Sequence, residues 1–371
     1  TLLFERENEP GKDGLSGGLR AGTSSNGLER DIAAELAWSG EPGYLRLNIE
    51  DRSADNYEDG AGDEVRSAYA EDSVYLAGGL RFRDQDRLEL ALERTETSDA
   101  LFPGAGMDAP EDTSDQVRLR YRGYDLAGLD ELSVELYRTD VEHLMDNYSN
   151  RPLSAPMALR VPSRSDTTGA RIVGEFTTGS DLEWTVGVDY QRNERSATRF
   201  MGPTTDNVQM VQSYLWPDAS LEQAGAFAEV RWALAGDRTL KAGLRYDRVS
   251  ADADVVDADP PSPLLAGPNA LYAQYYGVTH DDEINENNVG GLLRFEQRFN
   301  DRWTGFAGLS QTVRTADASE RFLAAANAMP MMRWVGNPGL DPETHRQADA
   351  GLVFQAGDHR LDGVVYYDDV S

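Results

Sequence analysis

The chain has 371 residues and no cysteine, so neither a disulfide framework nor a catalytic thiol is available to it. It also lacks any run of the roughly 18 to 20 apolar residues that a membrane-spanning helix requires. A helical membrane protein is therefore excluded. An outer-membrane β-barrel is not excluded, because its strands alternate apolar and polar residues and form no long hydrophobic run. The hydrophobic share of 40% suits such a barrel and a soluble β protein equally well.

Basic residues are few. Lys and Arg number 35 against 65 Asp and Glu, which gives a formal net charge of −30. We expect no nucleic acid partner, because binding to a phosphate backbone depends on Lys and Arg. The charge suits a surface that attracts cations, and it suits simple solubility equally well. The sequence has no G-x-S-x-G, no H-E-x-x-H and no phosphate-binding loop, so we do not expect an enzyme.

The most regular feature of the sequence is an alternation of apolar and polar residues along nearly the whole chain. Residues two apart in a strand share a face, so this period predicts half-buried or lipid-facing strands. We expect about fifteen strands, many near the ~10 residues of a tilted membrane-spanning strand. The predicted fold class is all-β, a transmembrane antiparallel β-barrel. Typical runs are Leu132, Val134 and Leu136; Trp184, Val186 and Val188; Leu240, Ala242 and Leu244.

The connections between the predicted strands alternate in length. In an antiparallel meander every second connection lies at the same end, so all long loops project from one rim and all short turns from the other. Short periplasmic turns and long extracellular loops are typical of an outer-membrane barrel, whereas structureless loops of this length are uncommon in soluble domains. We therefore expect a location in the bacterial outer membrane. The predicted short turns lie near residues 39–43, 84–86, 178–181, 235–238, 300–302 and 355–358, and the predicted long segments near residues 53–72, 97–114, 146–166, 195–221, 251–287 and 315–345.

A candidate metal site lies in residues 137–148, where a predicted strand passes into a predicted long loop. Counting in twos from Tyr137, which lies opposite to the apolar Leu136, places His143 and Met145 together on the polar face. An imidazole beside a thioether forms half of a site for a soft or borderline metal, above all copper. Both residues are equally compatible with ordinary surface or packing roles, since short motifs of this kind are not specific.

Other candidate residues have a structural explanation of at least equal weight. A loop with three methionines could collect copper or form an adaptable apolar loop tip, and the same alternatives hold for two single loop methionines. A histidine followed by three acidic residues is better explained as a solvated charged run. These candidates are Met329, Met331 and Met332; Met107 and Met157; and His280 with Asp281, Asp282 and Glu283.

Several segments resemble a known family. Residues 308–321 and 334–352 resemble the late-barrel strand and loop of TonB-dependent outer-membrane receptors, although Ala316 stands where that family often has proline. Upstream segments resemble the TonB-dependent copper receptors in particular, and the resemblance covers nearly the whole chain. These upstream segments are residues 43–48, 52–57, 104–108, 141–149 and 187–194.

The resemblance implies a monomeric 22-stranded barrel that imports copper across the outer membrane with energy delivered by the TonB complex of the inner membrane. It implies that His143 and Met145 are the His-x-Met pair that supplies two copper ligands, with copper as the transported ion. The family's other ligands, a Cys and a Met, lie in an N-terminal plug. We therefore expect residues 1–371 to be a partial barrel without the plug and the last strands, because residues 1–6 show no signal peptide and the final residues stop inside a predicted strand.

Three alternatives remain open at this point. The first is a TonB-dependent receptor for a ferric siderophore or another metal chelate, with the long loops as the binding surface. The second is a passive porin or an adhesin barrel. The third is a soluble β enzyme, which would require the apolar faces of the strands to pack against each other.

Overall fold

The computed structural model describes residue 8, residues 12–83 and residues 85–371. The first six residues and Asp84, which the sequence assigned to a chain start and a turn, lie outside the described residues. The described part is nearly all β structure. The long strands are β1 (Gly14–Gly22), β2 (Leu28–Gly40), β3 (Gly43–Ala54), β6 (Tyr69–Phe82), β7 (Asp86–Ala100), β8 (Asp108–Leu126), β9 (Leu129–Asp146), β10 (Ala158–Thr178), β11 (Leu182–Gly202), β12 (Met210–Leu234), β13 (Arg238–Ala253), β14 (Ile284–Arg298), β15 (Trp303–Arg314), β18 (Glu343–Ala356) and β19 (His359–Val370).

Short elements occupy the connections. Two helices, α1 and α2, lie in the two longest of them, and none of the described helices is long and apolar enough to cross a membrane. The short elements are β4 (Tyr57–Glu58), β5 (Glu64–Val65), α1 (Pro268–Tyr276), α2 (Ala318–Phe322), β16 (Ala324–Ala325), a 3-10 turn (Pro330–Met332) and β17 (Trp334–Val335).

The fifteen long strands form one antiparallel sheet in the order in which they occur in the chain, from β1 at one edge to β19 at the other. Each strand pairs with the next long strand, so the sheet is a meander. The predicted all-β antiparallel fold and the predicted number of strands are confirmed. Because every second connection lies at the same end, this topology also places the long loops at one rim, as expected.

The apolar residues of the alternating pattern lie on the exposed face of the sheet. Leu136 on β9 is 47% exposed and Leu244 on β13 is 64% exposed. Their neighbours along each strand are polar and lie on the opposite face, where Glu135 is paired with Arg120. No second β layer covers the apolar face of the described strands, since all the long strands belong to one sheet. A soluble sandwich would bury this face, so the structure argues against the soluble-enzyme alternative.

Several strands are longer than the sequence pattern predicted. β10 and β11 have 21 residues each and β12 has 25. The predicted long segment 195–221 is therefore wrong in extent, since only residues 203–209 connect β11 and β12. The predicted segments 97–114 and 146–166 shrink in the same way to residues 101–107 and 147–157. The backbone ladder continues beyond the regular alternation of apolar and polar residues, because backbone hydrogen bonding between strands does not require that alternation.

One short turn was not predicted. Ala127 and Gly128 alone connect β8 to β9, and both have positive φ angles of 53° and 86°. Positive φ at both central residues is the geometry of the two-residue hairpin turn that matches strand twist. Alanine is an unusual residue at such a position, and for that reason the turn could not be recognised from its residues.

The two longest connections fold back onto the polar face of β12 and β13. We call their buried core the Phe322 cluster: Ala251, Ala253, Leu271, Tyr272, Ala318 and Phe322, with neighbouring alanines. The hydroxyl of Tyr272 donates to the carbonyl of Phe322 at 2.6 Å, and burial raises the pKa of this tyrosine. Residues 254–283 and 315–342 are thus compact loop structure, held by apolar burial and by the buried Arg321, which pairs with Glu286 on β14 and donates to the carbonyl of Leu340 at 2.9 Å.

Candidate metal-binding site

His143 and Met145 lie in the last four residues of β9 and not in a loop. The register of His143 is set by both neighbouring strands, since it stands opposite Asp112 on β8 and Ser163 on β10. The register of Met145 is set by β10, where it stands opposite Val161, because the β8–β9 ladder is irregular between Asp108 and Glu111. The β9–β10 pairing is regular from one end to the other, so the two side chains emerge on the same face.

That face is the polar one. Continuing in twos from His143 leads to Tyr137 and Glu135, whereas the exposed Leu136 lies on the other face. Ser163 supports the backbone here, since its hydroxyl donates to the carbonyl oxygen of His143 at 3.0 Å. The structure therefore places both candidate ligands on the polar face of the sheet, at the rim that carries the long loops.

The ring of His143 has one carboxylate partner. Its Nδ1 lies 2.9 Å from Oδ2 of Asp112, and both side chains are partly buried. A carboxylate is only an acceptor, so the tautomer that fits this contact is the one in which Nδ1 donates its hydrogen. In that neutral tautomer the lone pair lies on Nε2, which is then the atom that can bind a metal ion. Sequence reasoning missed Asp112, because it lies 31 residues before its partner and is one of many acidic residues.

The chain offers two adjacent ligands at this position and not a complete site. Residues two apart on a strand are roughly 6.8 Å apart at Cα, a spacing that lets an imidazole and a thioether converge on one ion. Within residues 12–83 and 85–371, no group of three or more His, Cys, Asp or Glu side chains converges as a metal site. Further ligands for an ion at His143 and Met145 have to come from another segment or from the ion's own carrier.

The loops beside this position are held by charge. We call the Asp108 cluster the group formed by Asp108, Arg66, Arg151 and the backbone N–H of Phe102. The buried carboxylate of Asp108 accepts from Arg66 Nη2 and Arg151 Nε, each at 2.7 Å, and from Phe102 N at 3.1 Å. Its hydrogen bond raises the pKa of Arg151. Three connections, residues 55–68, 101–107 and 147–157, thus meet at the first residue of β8.

The Asp108 cluster adjoins the candidate ligands directly. Asp108 pairs with Asp146, the residue after Met145. Asp146 in turn accepts from the backbone N–H of Tyr148 at 3.0 Å and of Ser149 at 2.7 Å. The chain is therefore fixed on both sides of Met145. No local sequence signal distinguishes Asp108 from the other aspartates, because its partners come from three separate loops.

The remaining candidates are distributed over the long-loop rim. Met107 directly precedes Asp108, and the carbonyl of Met157 accepts from Asn147 Nδ2 at 3.1 Å, so both methionines border the end of β9. The other three methionines lie on the connection between β15 and β18, six strands away in the sheet order. They form an exposed loop tip, with Met331 88% exposed. The structure brings Met107 and Met157 to the end of β9, whereas the connection that carries the other three folds back onto β11 and β12, where Arg199 donates to the carbonyl of Ala326 and Ser213 to that of Ala324.

His280 differs from the prediction. The three acidic residues after it are exposed, as a solvated charged run requires, but His280 itself is buried. Its Nε2 lies 2.8 Å from Asp252 Oδ1, and its ring lies edge-on to Phe322 with 4.9 Å between the centroids. His280 is therefore a packing residue of the loop core.

Comparison with known protein families shows to which family the chain belongs. The family described as "TonB dependent receptor-like, beta-barrel" matches residues 50–371. The chain belongs to this family. Its members are outer-membrane β-barrel proteins, so the predicted location in the outer membrane is confirmed. No curated protein sequence matches the chain.

Solved structures show the same fold over almost the whole chain. The copper transporter OprC is 25% identical with a TM-score of 0.80, covering 99% of this chain and 55% of its own. The Serratia marcescens hemophore receptor HasR is 20% identical with a TM-score of 0.72, covering 97% and 55%. The ferric yersiniabactin uptake receptor FyuA from Yersinia pestis is 13% identical with a TM-score of 0.67, covering 96% and 55%. The chain spans just over half the length of these structures.

Proposed function

We propose that this chain is part of the barrel of a receptor that imports copper across the outer membrane, and that His143 and Met145 bind the ion on its way in. The observation that carries the proposal is the placement of these two side chains, adjacent on the polar face at the long-loop rim. The similarity to the copper transporter OprC supports copper as the ion. We also propose, from the family, that the complete receptor is monomeric, contains a plug, and takes its energy from the TonB complex.

The chemistry of the two ligands fits copper. A thioether is a soft ligand that suits Cu(I), and an imidazole suits either oxidation state. Two ligands on the barrel wall leave the coordination of the ion incomplete, so it can be completed by groups of the proposed plug. Capture between two parts of the receptor also provides a route of release, because movement of the plug would remove its ligands.

A receptor for a ferric siderophore or another metal chelate is the second candidate. It is favoured by the exposed loop tip around Met331 and Trp334, since an apolar surface of this kind suits a bulky chelate. Trp334 is 70% exposed. The fold similarity to HasR and FyuA is compatible with either candidate.

The metal content of the protein expressed from its whole gene separates the two candidates. The protein is purified after growth with copper, beside the variant His143→Ala/Met145→Ala. A matched control, His359→Ala/Met210→Ala, removes the same residue types from exposed positions elsewhere. We expect near-stoichiometric copper in the unchanged protein and the control, and its loss in the first variant. Copper missing from all three folded proteins would favour the chelate receptor.

A further inference from the structure

We propose that Asp112 is a positioning residue, which holds His143 in the tautomer and orientation that present Nε2 to an incoming metal ion. The role toward copper rests on the proposed function. The role toward the imidazole does not, because it follows from the contact between the two side chains. No sequence motif and no family comparison assigns a role to Asp112.

The position of Asp112 is set by the sheet and not by a loop. Asp112 and His143 are directly opposite in the β8–β9 ladder, and the only irregularity near them lies beyond Glu111. Directly opposite side chains on one face have Cβ atoms roughly 4.5–5.5 Å apart. The 2.9 Å contact between Nδ1 and Oδ2 therefore needs no unusual backbone conformation.

The contact selects one tautomer. With Nδ1 unprotonated, two lone pairs would face each other across 2.9 Å, which is unfavourable. With Nδ1 protonated, the carboxylate accepts its hydrogen and Nε2 keeps the lone pair. The hydrogen bond made by one ring nitrogen determines the state of the other. A carboxylate in this place also fixes the ring plane and increases the basicity of the ligating nitrogen.

The other histidines with carboxylate partners show how specific this arrangement is. His345 has a carboxylate at each nitrogen, Asp368 at 3.0 Å from Nδ1 and Glu343 at 2.8 Å from Nε2. The Nε2 of His280 is occupied by Asp252. His143 has a carboxylate at Nδ1, and the described residues provide no polar partner for its Nε2. Among these three rings, His143 is the one prepared to bind a metal.

Three variants test the proposal in the protein expressed from its whole gene. Asp112→Ala removes the acceptor. Asp112→Asn keeps an acceptor oxygen and removes the charge, and it serves as the second variant if the alanine protein does not fold. The matched control is Asp115→Ala, on the same strand but paired with Arg94 at 3.3 Å on the opposite face.

The first readout is the tautomer of His143 without copper, from the nitrogen resonances of ¹⁵N-labelled histidine, with His143→Ala identifying the signal. We expect hydrogen on Nδ1 in the unchanged protein, in Asp112→Asn and in the control, and a shift toward hydrogen on Nε2 in Asp112→Ala. Hydrogen on Nε2 in the unchanged protein, or the same tautomer in Asp112→Ala, would overturn the proposal whatever the transported ion is.

The second readout is copper affinity, measured by competition with a chelator. We expect Asp112→Ala to weaken binding about 10- to 100-fold, as removal of such a partner commonly does, with a smaller loss for Asp112→Asn and no change in the control. Unchanged affinity in Asp112→Ala would overturn the role toward copper. Copper retained by His143→Ala/Met145→Ala would instead contradict the proposed function, and the tautomer would still decide the pairing.

Discussion

Two groups of loops at the same rim are held together by different forces. The Phe322 cluster buries apolar side chains, and Leu271, Tyr272 and Phe322 are completely buried. The Asp108 cluster joins three loops through one buried carboxylate and two arginines, of which Arg66 is 40% exposed. Full burial of one large apolar side chain contributes roughly 1.5–3 kcal/mol, and the Phe322 cluster contains three such side chains, whereas the Asp108 cluster holds its three loops through a single carboxylate. We therefore expect the loops beside the candidate metal site to open more readily.

This difference agrees with the proposed function. If an ion enters beside His143, as we propose, it passes the loops next to that residue, and loops that open at low cost suit that side of the rim. The loops near β12 and β13 form a stable packed layer on the polar face of the sheet. Local stability differs within one protein in this way, and the regions that bind ligands are commonly the less stable ones.

The largest effect is expected from Phe322→Ala. Truncation of this buried ring leaves a cavity, and such changes cost about 3–5 kcal/mol. Residues 254–283 and 315–342 should exchange amide hydrogens much faster, while residues 101–107 and 147–157 remain unchanged. Phe299→Ala, which truncates a ring that is 61% exposed, is the control. Equal protection in both variants would contradict a core built by apolar burial.

Asp108→Asn is expected to have an intermediate effect, and this effect should lie in the loops joined by the Asp108 cluster. The amide has similar size but carries no charge and offers one acceptor oxygen, so Arg151 and Arg66 lose part of their pairing, at a cost of about 1–3 kcal/mol. Hydrogen exchange should rise in residues 55–68, 101–107 and 147–157 and not around α1 and α2. The same change at the exposed Asp282 should leave both regions as they were. If α1 loosened together with the Asp108 loops, the two clusters would not be independent.

The smallest effect concerns the pH dependence of α2. Asp317 and Glu320 form a capping box at its start, and hydrogen bonds from Arg314 and from the backbone of Asp317 lower the pKa of Glu320. A carboxyl group whose folded pKa is lowered stabilises the fold above its unfolded pKa of about 4.3, and this contribution is lost as the pH falls through the folded value. Opening of α2 should therefore increase below about pH 4.3.

Glu320→Gln isolates this contribution. Glutamine can still accept hydrogen bonds but does not titrate in this range, so the pH dependence of α2 opening between about 3 and 5 should become weaker. The Asp108 loops provide an internal reference in the same sample. An identical pH profile for α2 with and without Glu320 would show that another group is responsible.

The sequence predicted the parts of the fold that depend on periodicity. Alternation identified the exposed apolar face, and the connection lengths identified the loop rim. The sequence-based prediction failed where the alternation becomes irregular, as in the loop-side halves of β11 and β12, and at Ala127, where the turn lacks its usual residues. The alternation of side chains along β9 correctly placed His143 and Met145 on one face, because a strand without a bulge keeps its period of two.

The partners of the candidate site could not be predicted in the same way. Asp112, Arg66 and Arg151 reach their positions only when β8, β9 and three loops are assembled. His280 was interpreted from its charged neighbours as part of a solvated run. Those neighbours gave no indication that its ring is buried against Phe322. Pairings across separate strands depend on register, and register is a property of the whole sheet.

X-ray absorption at the copper edge tests whether His143 and Met145 bind the ion. The copper-loaded protein from the whole gene is compared with His143→Ala and with Met145→Ala separately. We expect nitrogen and sulfur ligands in the unchanged protein, loss of an imidazole contribution in His143→Ala, and loss of a sulfur contribution in Met145→Ala. A copper environment that is the same in all three proteins would contradict the assignment of His143 and Met145 as ligands.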